Sequence, residues 1–355
     1  MSRELKFFMA RVRSGSLRRM FDNVEAEHAN GGVGRAAIFF DMCHCIVHYG
    51  IGYLEYRIYN FSRVRDPQVR ATYMTGDHNV ALTAMIDDRA CYAEFENKLG
   101  FMKNFGDLTG RSYIDLNKAT AKTLADFCRG RTAVFAKCPS SFGGLGVERV
   151  AIDDATDYGQ LFARLFKQGK VLVEQAIVQH HEMARLSPSS VNTLRVVTVL
   201  TDRGPKVIYT IVRASDGVKP VDNGTSGGMY TVVPSDGVMK YPMFSDADST
   251  YYDVHPLTKT RFAGFKVPYY REAVTLCLQA ALRIPRLRYV GWDVAITETG
   301  PVLVEGNILP GYEMVQNYRM KDGGQGILPV FEQALGFKVP RRYDGPFIPA
   351  ADPKR

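Results

Sequence analysis

The chain has no long uncharged apolar run. Its most apolar stretch, residues 42–54, ends after thirteen residues and contains His44 and His48, short of the roughly 18–20 residues that a membrane-crossing helix needs. No transmembrane segment is expected. A signal-type apolar core is missing too: residues 1–20 carry six Lys or Arg against one Glu, with no hydrophobic region and no small-residue cleavage site after them. A cytoplasmic location is expected. Cysteine is scarce, with six in 355 residues at positions 43, 45, 91, 128, 138 and 277, and their spacings match neither a disulfide framework nor a zinc site. Cys43-His44-Cys45 lacks a second half and reads as buried structure. Internal repeats are absent. With 46% hydrophobic and 23% charged residues, disordered, collagenous and coiled-coil chains are excluded.

What is present in excess is positive charge. Lys and Arg total 45 against 37 Asp and Glu, a formal net charge of +8, which favours anionic partners such as phosphates, acidic substrates, nucleic acid or an anionic membrane face. Up to about Asn97 the pattern is helical and aromatic-rich, with Tyr53, Tyr56, Tyr59 and Phe61 interleaved with Arg57, Arg63 and Arg65. From Lys98 onward strands alternate with helices. Residues 132–137 and 147–152 read as a strand pair joined by a glycine-rich loop. Tyr158, Leu161, Phe162, Leu165 and Phe166 share one helical face. Strands follow at 170–176, 194–200, 206–212 and 229–233. A helix then carries Val274, Cys277, Leu278 and Ala281 on one face, a last hairpin spans 288–307, and a helix closes at 328–335. The expected division is a helical lobe at 1–96, α+β lobes at 97–173 and 174–335, and a surface tail at 336–355.

Three constellations carry chemistry. Lys137 ends a buried strand beside Ser140-Ser141-Phe142-Gly143-Gly144-Leu145-Gly146. A lysine there needs an anion, and glycines let backbone N–H groups approach a phosphate closely, although a plain structural hairpin has the same pattern. The loop is neither a P-loop, since GK[ST] is absent, nor a GxGxxG turn. The second constellation is RYVGWDVAITETGPVLVEGN, residues 288–307. If Glu298-Thr299-Gly300 form a three-residue loop, Asp293 falls opposite Glu305 and Asn307 opposite Gly291, on one face. The opposed carboxyls then have Cβ atoms about 4.5–5.5 Å apart and repel unless one is protonated or a cation lies between them. Such hard oxygen donors suit Mg2+, and a solvated acidic hairpin is the plainer reading. A two-residue loop is expected to send Glu305 to the opposite face. Third, Arg195 opens the strand after SPSSVNT, and Arg213 ends the next one; each meets either a phosphate or a strand-end carboxylate.

In order, the strand lysine and glycine flap, VLVEQAI, SPSSVNTLRVVT, a second glycine pair at Gly227-Gly228, VGWDVAITETGPVLVEGN, Pro310-Gly311 and Gln316 resemble the ATP-grasp superfamily, and more closely its sugar-transfer-associated family. The resemblance spans roughly residues 97–316. It implies an ATP-grasp fold of two α+β lobes gripping ATP, with a helical N-terminal lobe. It further implies that Lys98 and Lys137 contact the α- and β-phosphates while Ser140, Ser141, Phe142, Gly143 and Gly144 fold over them. Glu174, Gln175 and Ile177 would present the adenine edge. The family's ribose-binding carboxylate position holds His181, and Glu182, one residue on, is taken in its place. Asp293, Glu305 and Asn307 match the magnesium ligands, and Arg195 and Arg213 would stabilise the transferring phosphoryl group.

The implied activity is ADP-forming ligation: ATP activates a small-molecule carboxylate as an acyl phosphate, which an amine or thiol then attacks, in sugar, cell-surface glycan or small-metabolite biosynthesis. Two alternatives stand beside it. One is a small-molecule kinase on the same ATP site; the other is a basic nucleic-acid or anionic-membrane binder with an inert nucleotide fold. Basic residues are spread along the chain rather than gathered with aromatics in a recognisable module, so a nucleic-acid partner is not expected.

Overall fold

The computed structural model describes residues 17–31, 33–141, 146–217, 228–245, 248 and 250–350. The expected flap residues Phe142, Gly143 and Gly144, and Gly227 of the later glycine pair, lie outside them. The chain divides into two compact units, residues 1–86 with 311–348, and residues 87–310 with 349–355. No helix among the described residues is long and apolar enough to cross a membrane.

The first unit is helical. Helices Leu17–Gly31, Arg35–His48 and Tyr53–Ile58 gather around Ile38, Met42, Tyr56, Tyr59, Phe61 and Tyr73, all buried. Aromatic rings pack edge-on here, as Phe61 does against Tyr73 with centroids 4.9 Å apart, an arrangement worth about 0.5–1.5 kcal/mol beyond burial. Arg70 crosses this core and donates to Asp41 through both terminal nitrogens, at 2.9 and 2.6 Å. Gln316 is braced in the same unit: its Oε1 accepts from the N–H groups of Met74 and Ile327, and its Nε2 donates to Tyr59 Oη at 2.9 Å. Tyr56, Tyr59, Tyr73 and Arg70 thus serve as core, while Tyr53 packs at its edge.

The second unit is α+β, and among the described residues it holds two antiparallel sheets. The smaller has the order β1-β4-β2-β3, with β1 at Tyr113–Asp115, β2 at Ala133–Lys137, β3 at Val147–Ala151 and β4 at Leu172–Gln175. Helices Ala121–Cys128 and Tyr158–Lys167 bury Leu124, Leu161 and Leu165 on its apolar face. Each starts at a capping side chain, Thr120 accepting from Thr123 N–H and Asp157 from Gln160 N–H, which satisfies a donor the first turn leaves open.

The larger sheet has the order β11-β10-β5-β6-β7-β8-β9. Its strands are β5 at Thr193–Thr201, β6 at Gly204–Ser215, β7 at Gly228–Val232, β8 at Met243–Ser245, β9 at Thr250–Tyr252, β10 at Tyr289–Thr297 and β11 at Gly300–Asn307. Helix Tyr270–Ala281 packs on it through Ala273, Cys277 and Ala280. Every residue of β5 is buried, so its four non-apolar members need partners within the protein: Thr193 Oγ1 accepts from Arg213 Nη2 at 3.3 Å and Thr201 Oγ1 donates to Gly204 O at 2.8 Å. Thr198 Oγ1 accepts from Trp292 Nε1 at 2.9 Å, and Arg195 meets Asp293.

The last hairpin corrects the expected turn. Thr297 pairs with Gly300, so the connection is the two residues Glu298-Thr299. Glu305 nevertheless stays opposite Asp293, because the register shifts between Asp293 and Val294: Val294 pairs with Leu303, Asp293 with Glu305, and Val304 is the extra residue. A one-residue bulge moves the rest of the strand by one position and returns its side chains to the first face. Asp293, Glu305 and Asn307 share a face as expected, by a different route.

Candidate active site

A cleft in the second unit is lined by Lys98, Lys137, Ser141, Glu174, Glu305 and Asn307, with Phe95, Phe101 and Met102 as its apolar wall. Its volume is about 140 Å³, enough for a small anion and below the roughly 300–1,000 Å³ of sites for larger organic ligands.

Lys98 is placed by its helix. Asn97 caps Lys98–Phe105, its Oδ1 accepting from Leu99 N–H at 3.0 Å and Gly100 N–H at 3.2 Å, while Lys98 N–H donates to Pro139 O at 2.9 Å. The ammonium donates to Ser141 O and Oγ. Burial lowers the Lys98 pKa; the Glu305 carboxyl acts against that and the Lys137 ammonium adds to it. Lys137 ends β2 and ion-pairs with Glu174. The opposite oxygen of Glu174 accepts from Arg111 Nη2 at 3.1 Å. Burial alone would raise the Glu174 carboxyl, but Lys137 and Arg111 outweigh it and hold the group below its ordinary value.

Across the cleft stands the acidic face. Asp293 is only 2% exposed and is held by two guanidiniums. Arg195, its direct neighbour in β5, donates through Nε to Oδ1 and through Nη2 to Oδ2 at 2.9 Å; Arg213 Nη2 reaches Oδ2 at 2.7 Å. Burial would raise this carboxyl, yet Arg195 and Arg213 bring it down to about 2. Asn307 Nδ2 lies 3.4 Å from Asp293 Oδ2. Glu305 hydrogen-bonds to Asp293 and is raised from its ordinary value, first by burial and then by the Asp293 charge. Its outer edge is open to the cleft. The raised Glu305 beside a lowered Asp293 is the signature of an opposed acid pair that repels. Two carboxyl groups and an amide on one face are a hard oxygen donor set, and a divalent cation between them would relieve that repulsion. The residues therefore fit Mg2+.

Other expected site residues are placed elsewhere. Arg195 and Arg213 are committed to Asp293, since a carboxylate this buried needs compensating charge. Ser140 is exposed. Gln175 pairs with Ser112 by its backbone N–H at 3.0 Å and its side chain at 3.1 Å. Ile177 is half-buried. Glu182 accepts from Arg185 Nη1 at 2.6 Å, and neither Ile177 nor Glu182 is among the residues that line the cleft. His181 holds the hairpin turn: its N–H donates to Glu298 Oε1 at 2.7 Å and its Nδ1 lies 2.9 Å from that oxygen. His180, His181 and Glu298 bring ligand-type atoms within 4.8 Å of one another. His180 Nδ1, however, accepts Glu182 N–H at 3.1 Å as a helix cap, which leaves the proton on Nε2, the atom facing Glu298. A neutral imidazole in that tautomer has no second lone pair for a metal.

Sequence reasoning missed Arg111. Its side chain is 4% exposed, and besides Glu174 it donates to Leu303 O at 2.6 Å and Val304 O at 3.2 Å. The signal was Gly110 before it, with φ of +58° and a position where a Cβ would clash with Val302.

A small antiparallel sheet carrying a strand-end lysine, facing a larger one that carries an acid-acid-amide face across a phosphate-sized cleft, defines the ATP-grasp fold. The family described as sugar-transfer associated ATP-grasp matches residues 154–330, and over that stretch the chain belongs to it. No curated protein matches the chain. Among solved structures it is similar to the ATP-grasp ligase PsnB complexed with a minimal precursor, at 12% identity and TM-score 0.42, covering 70% of this chain and 62% of that one. It is also similar to D-alanine–D-alanine ligase from Bacillus anthracis, at 12% identity and TM-score 0.38, covering 68% and 67%. A third is D-alanyl-alanine synthetase A from Vibrio cholerae O1, at 15% identity and TM-score 0.40, covering 65% and 62%. The chain thus spans less than two thirds of the length of the first and third.

Proposed function

We propose that this protein is an ATP-dependent, ADP-forming ligase that joins a carboxylate to an amine or thiol. The observation that carries the reading is that Glu305 and Asn307 line one cleft with Lys98 and Lys137, while Asp293 lies buried beside them on the same face of the hairpin. Lys98 and Lys137 would bind the phosphate oxygens, Lys137 keeping one donor on Glu174. Mg2+ at Asp293, Glu305 and Asn307 would supply charge neutralisation to the triphosphate when bound. Arg195 and Arg213 keep Asp293 ionised and aimed. In the first step a substrate carboxylate oxygen attacks the γ-phosphorus and ADP leaves. In the second, an amine or thiol attacks the acyl carbon, inorganic phosphate leaves, and the nucleophile's proton goes to solvent. Positioning and electrostatics do this chemistry, and no nucleophilic side chain is required. A sugar acid, a glycan precursor or another small metabolite is the substrate class in view, in keeping with the matched family's description.

The test is a panel of carboxylates assayed for ADP release with and without hydroxylamine, using the wild type and Glu305→Gln. Glutamine keeps the size of Glu305, removes its charge and can donate to Asp293, so the variant is expected to fold. The reading predicts carboxylate-stimulated ADP release and hydroxamate formation by the wild type, both lost in the variant. ADP release without hydroxamate would mark a kinase. Release that is equal in both proteins and independent of substrate would overturn the reading.

A further inference from the structure

The acid pair depends on a backbone irregularity, and one side chain grips that irregularity. Without the bulge, the two-residue turn would pair Asp293 with Val304 and Trp292 with Glu305, and Glu305 and Asn307 would together leave the face that carries Asp293. In a regular strand consecutive carbonyls point to opposite sides. A single guanidinium that donates to both Leu303 O and Val304 O therefore fits the bulged conformation and not a straight one. β11 is the outer strand of its sheet, so no further strand competes for these carbonyls. The same guanidinium reaches Glu174 at 3.1 Å, and Glu174 in turn holds Lys137. Gly110 lets the segment come close enough to β11 for this contact, since a Cβ there would strike Val302.

We propose that Arg111 is a positioning residue: it fixes the bulge at Val304 that brings Glu305 opposite Asp293, and through Glu174 it sets the Lys137 ammonium against the same site. Arg111 touches neither phosphate nor metal and acts through Glu305 and Lys137. Its value for metal binding rests on the reading of the acidic face given above, whereas its control of strand register does not. Lysine at position 111 keeps the charge beside Glu174 but offers one compact group in place of a two-pronged fork, so it loses the spread by which Nη1 meets Leu303 O while Nη2 meets Val304 O and Glu174.

Deleting Val304 removes the extra residue. The strand then runs straight from the two-residue turn, the glutamate remains opposite Asp293, and Arg111 loses its task. The experiment compares wild type, Arg111→Lys, the Val304 deletion and their combination. Mn2+ affinity in the presence of ADP is measured by calorimetry, ADP affinity in EDTA beside it, and amide exchange over residues 300–307 with the emission of the chain's single tryptophan, Trp292. Arg111→Lys is expected to lose at least tenfold in Mn2+ affinity with metal-free ADP affinity within about threefold, to exchange faster over 300–307 and to shift Trp292 emission. The combined variant is expected to recover all of these. Wild-type exchange and emission in Arg111→Lys overturn the proposal. So does an Arg111→Lys defect of equal size in the Val304 deletion, because that marks a merely structural arginine. If Arg111→Lys fails to fold, recovery of folding by the deletion supports the proposal and its absence sinks it. A wild type that binds no Mn2+ with ADP overturns the ligase reading alone, since exchange and emission still decide the register question.

Discussion

Arg195 and Asp293 sit directly opposite each other in β5 and β10, and the guanidinium of the first grips both carboxylate oxygens of the second. Two residues that the sequence pattern assigns to different tasks, one to a phosphoryl group and one to a metal, are in the folded chain a single buried unit. Breaking such a pair leaves a buried charge with less compensation. Arg195→Met is expected to destabilise the protein by about 3–5 kcal/mol, toward the lower end because Arg213 also reaches Asp293. Urea denaturation measures it, and a loss under about 1 kcal/mol would contradict the pairing.

Lys137 has its principal partner in Glu174, which Arg111 also holds. Lys137→Met is therefore expected to leave the fold intact while weakening ADP binding roughly 10- to 100-fold, the size of a lost hydrogen bond to a charged group. Calorimetric titration checks this, and unchanged affinity would remove Lys137 from the nucleotide site.

Asp87 gives a pH prediction. It is 1% exposed, accepts the N–H groups of Arg288 and Tyr289 at 2.7 and 2.8 Å on one oxygen, and burial raises its pKa from 3.8 to about 8. The folded state therefore holds a proton that the unfolded chain has released, so stability falls as pH rises between about 4 and 8. Below that window the group contributes no pH dependence. Asp87→Asn keeps the acceptor and cannot ionise; it is expected to flatten the decline and raise the melting temperature at pH 8 over the wild type. Parallel pH profiles of the two proteins would refute the assignment.

Gly110→Ala joins two costs. The residue sits at φ +58°, disfavoured once a Cβ is present, and that Cβ would push against Val302. A loss of about 1–3 kcal/mol is expected, measured by thermal unfolding. The substitution also moves Arg111 away from Leu303 and Val304, so Mn2+ binding with ADP is expected to weaken even where the protein remains folded.

Much of this architecture was readable in the residues, and the exceptions have physical causes. The β2–β3 hairpin, the amphipathic helix behind it and the long strands β5 and β10 follow from periodicity. Strand β1 spans only Tyr113–Asp115, too short to show alternation. Gly300 invites a left-handed position and with it a three-residue turn; the compensating bulge falls at Val304, and valine carries no local mark of one. Arg111 was hidden because its partners lie far along the chain, at Glu174, Leu303 and Val304. For the same reason Arg195 and Arg213 could be recognised as needing an anion while the identity of that anion could not. Glu182 is expected at the ribose because His181 stands at the family's carboxylate position; in the folded chain Glu182 meets Arg185, and His181 meets Glu298 from a distant turn.

The outermost position of β11 carries a hazard that the same arginine answers. A bordering strand with unclaimed carbonyls is an invitation for another molecule to add itself to the sheet. At Leu303 and Val304 that invitation is withdrawn, because the acceptors are already occupied and the backbone kinks away from the straight ribbon an incoming strand would need. The device that aligns the acid pair thereby also guards this border of the sheet against self-association, and crowded or partly unfolded preparations are where its loss would first be seen, as aggregation.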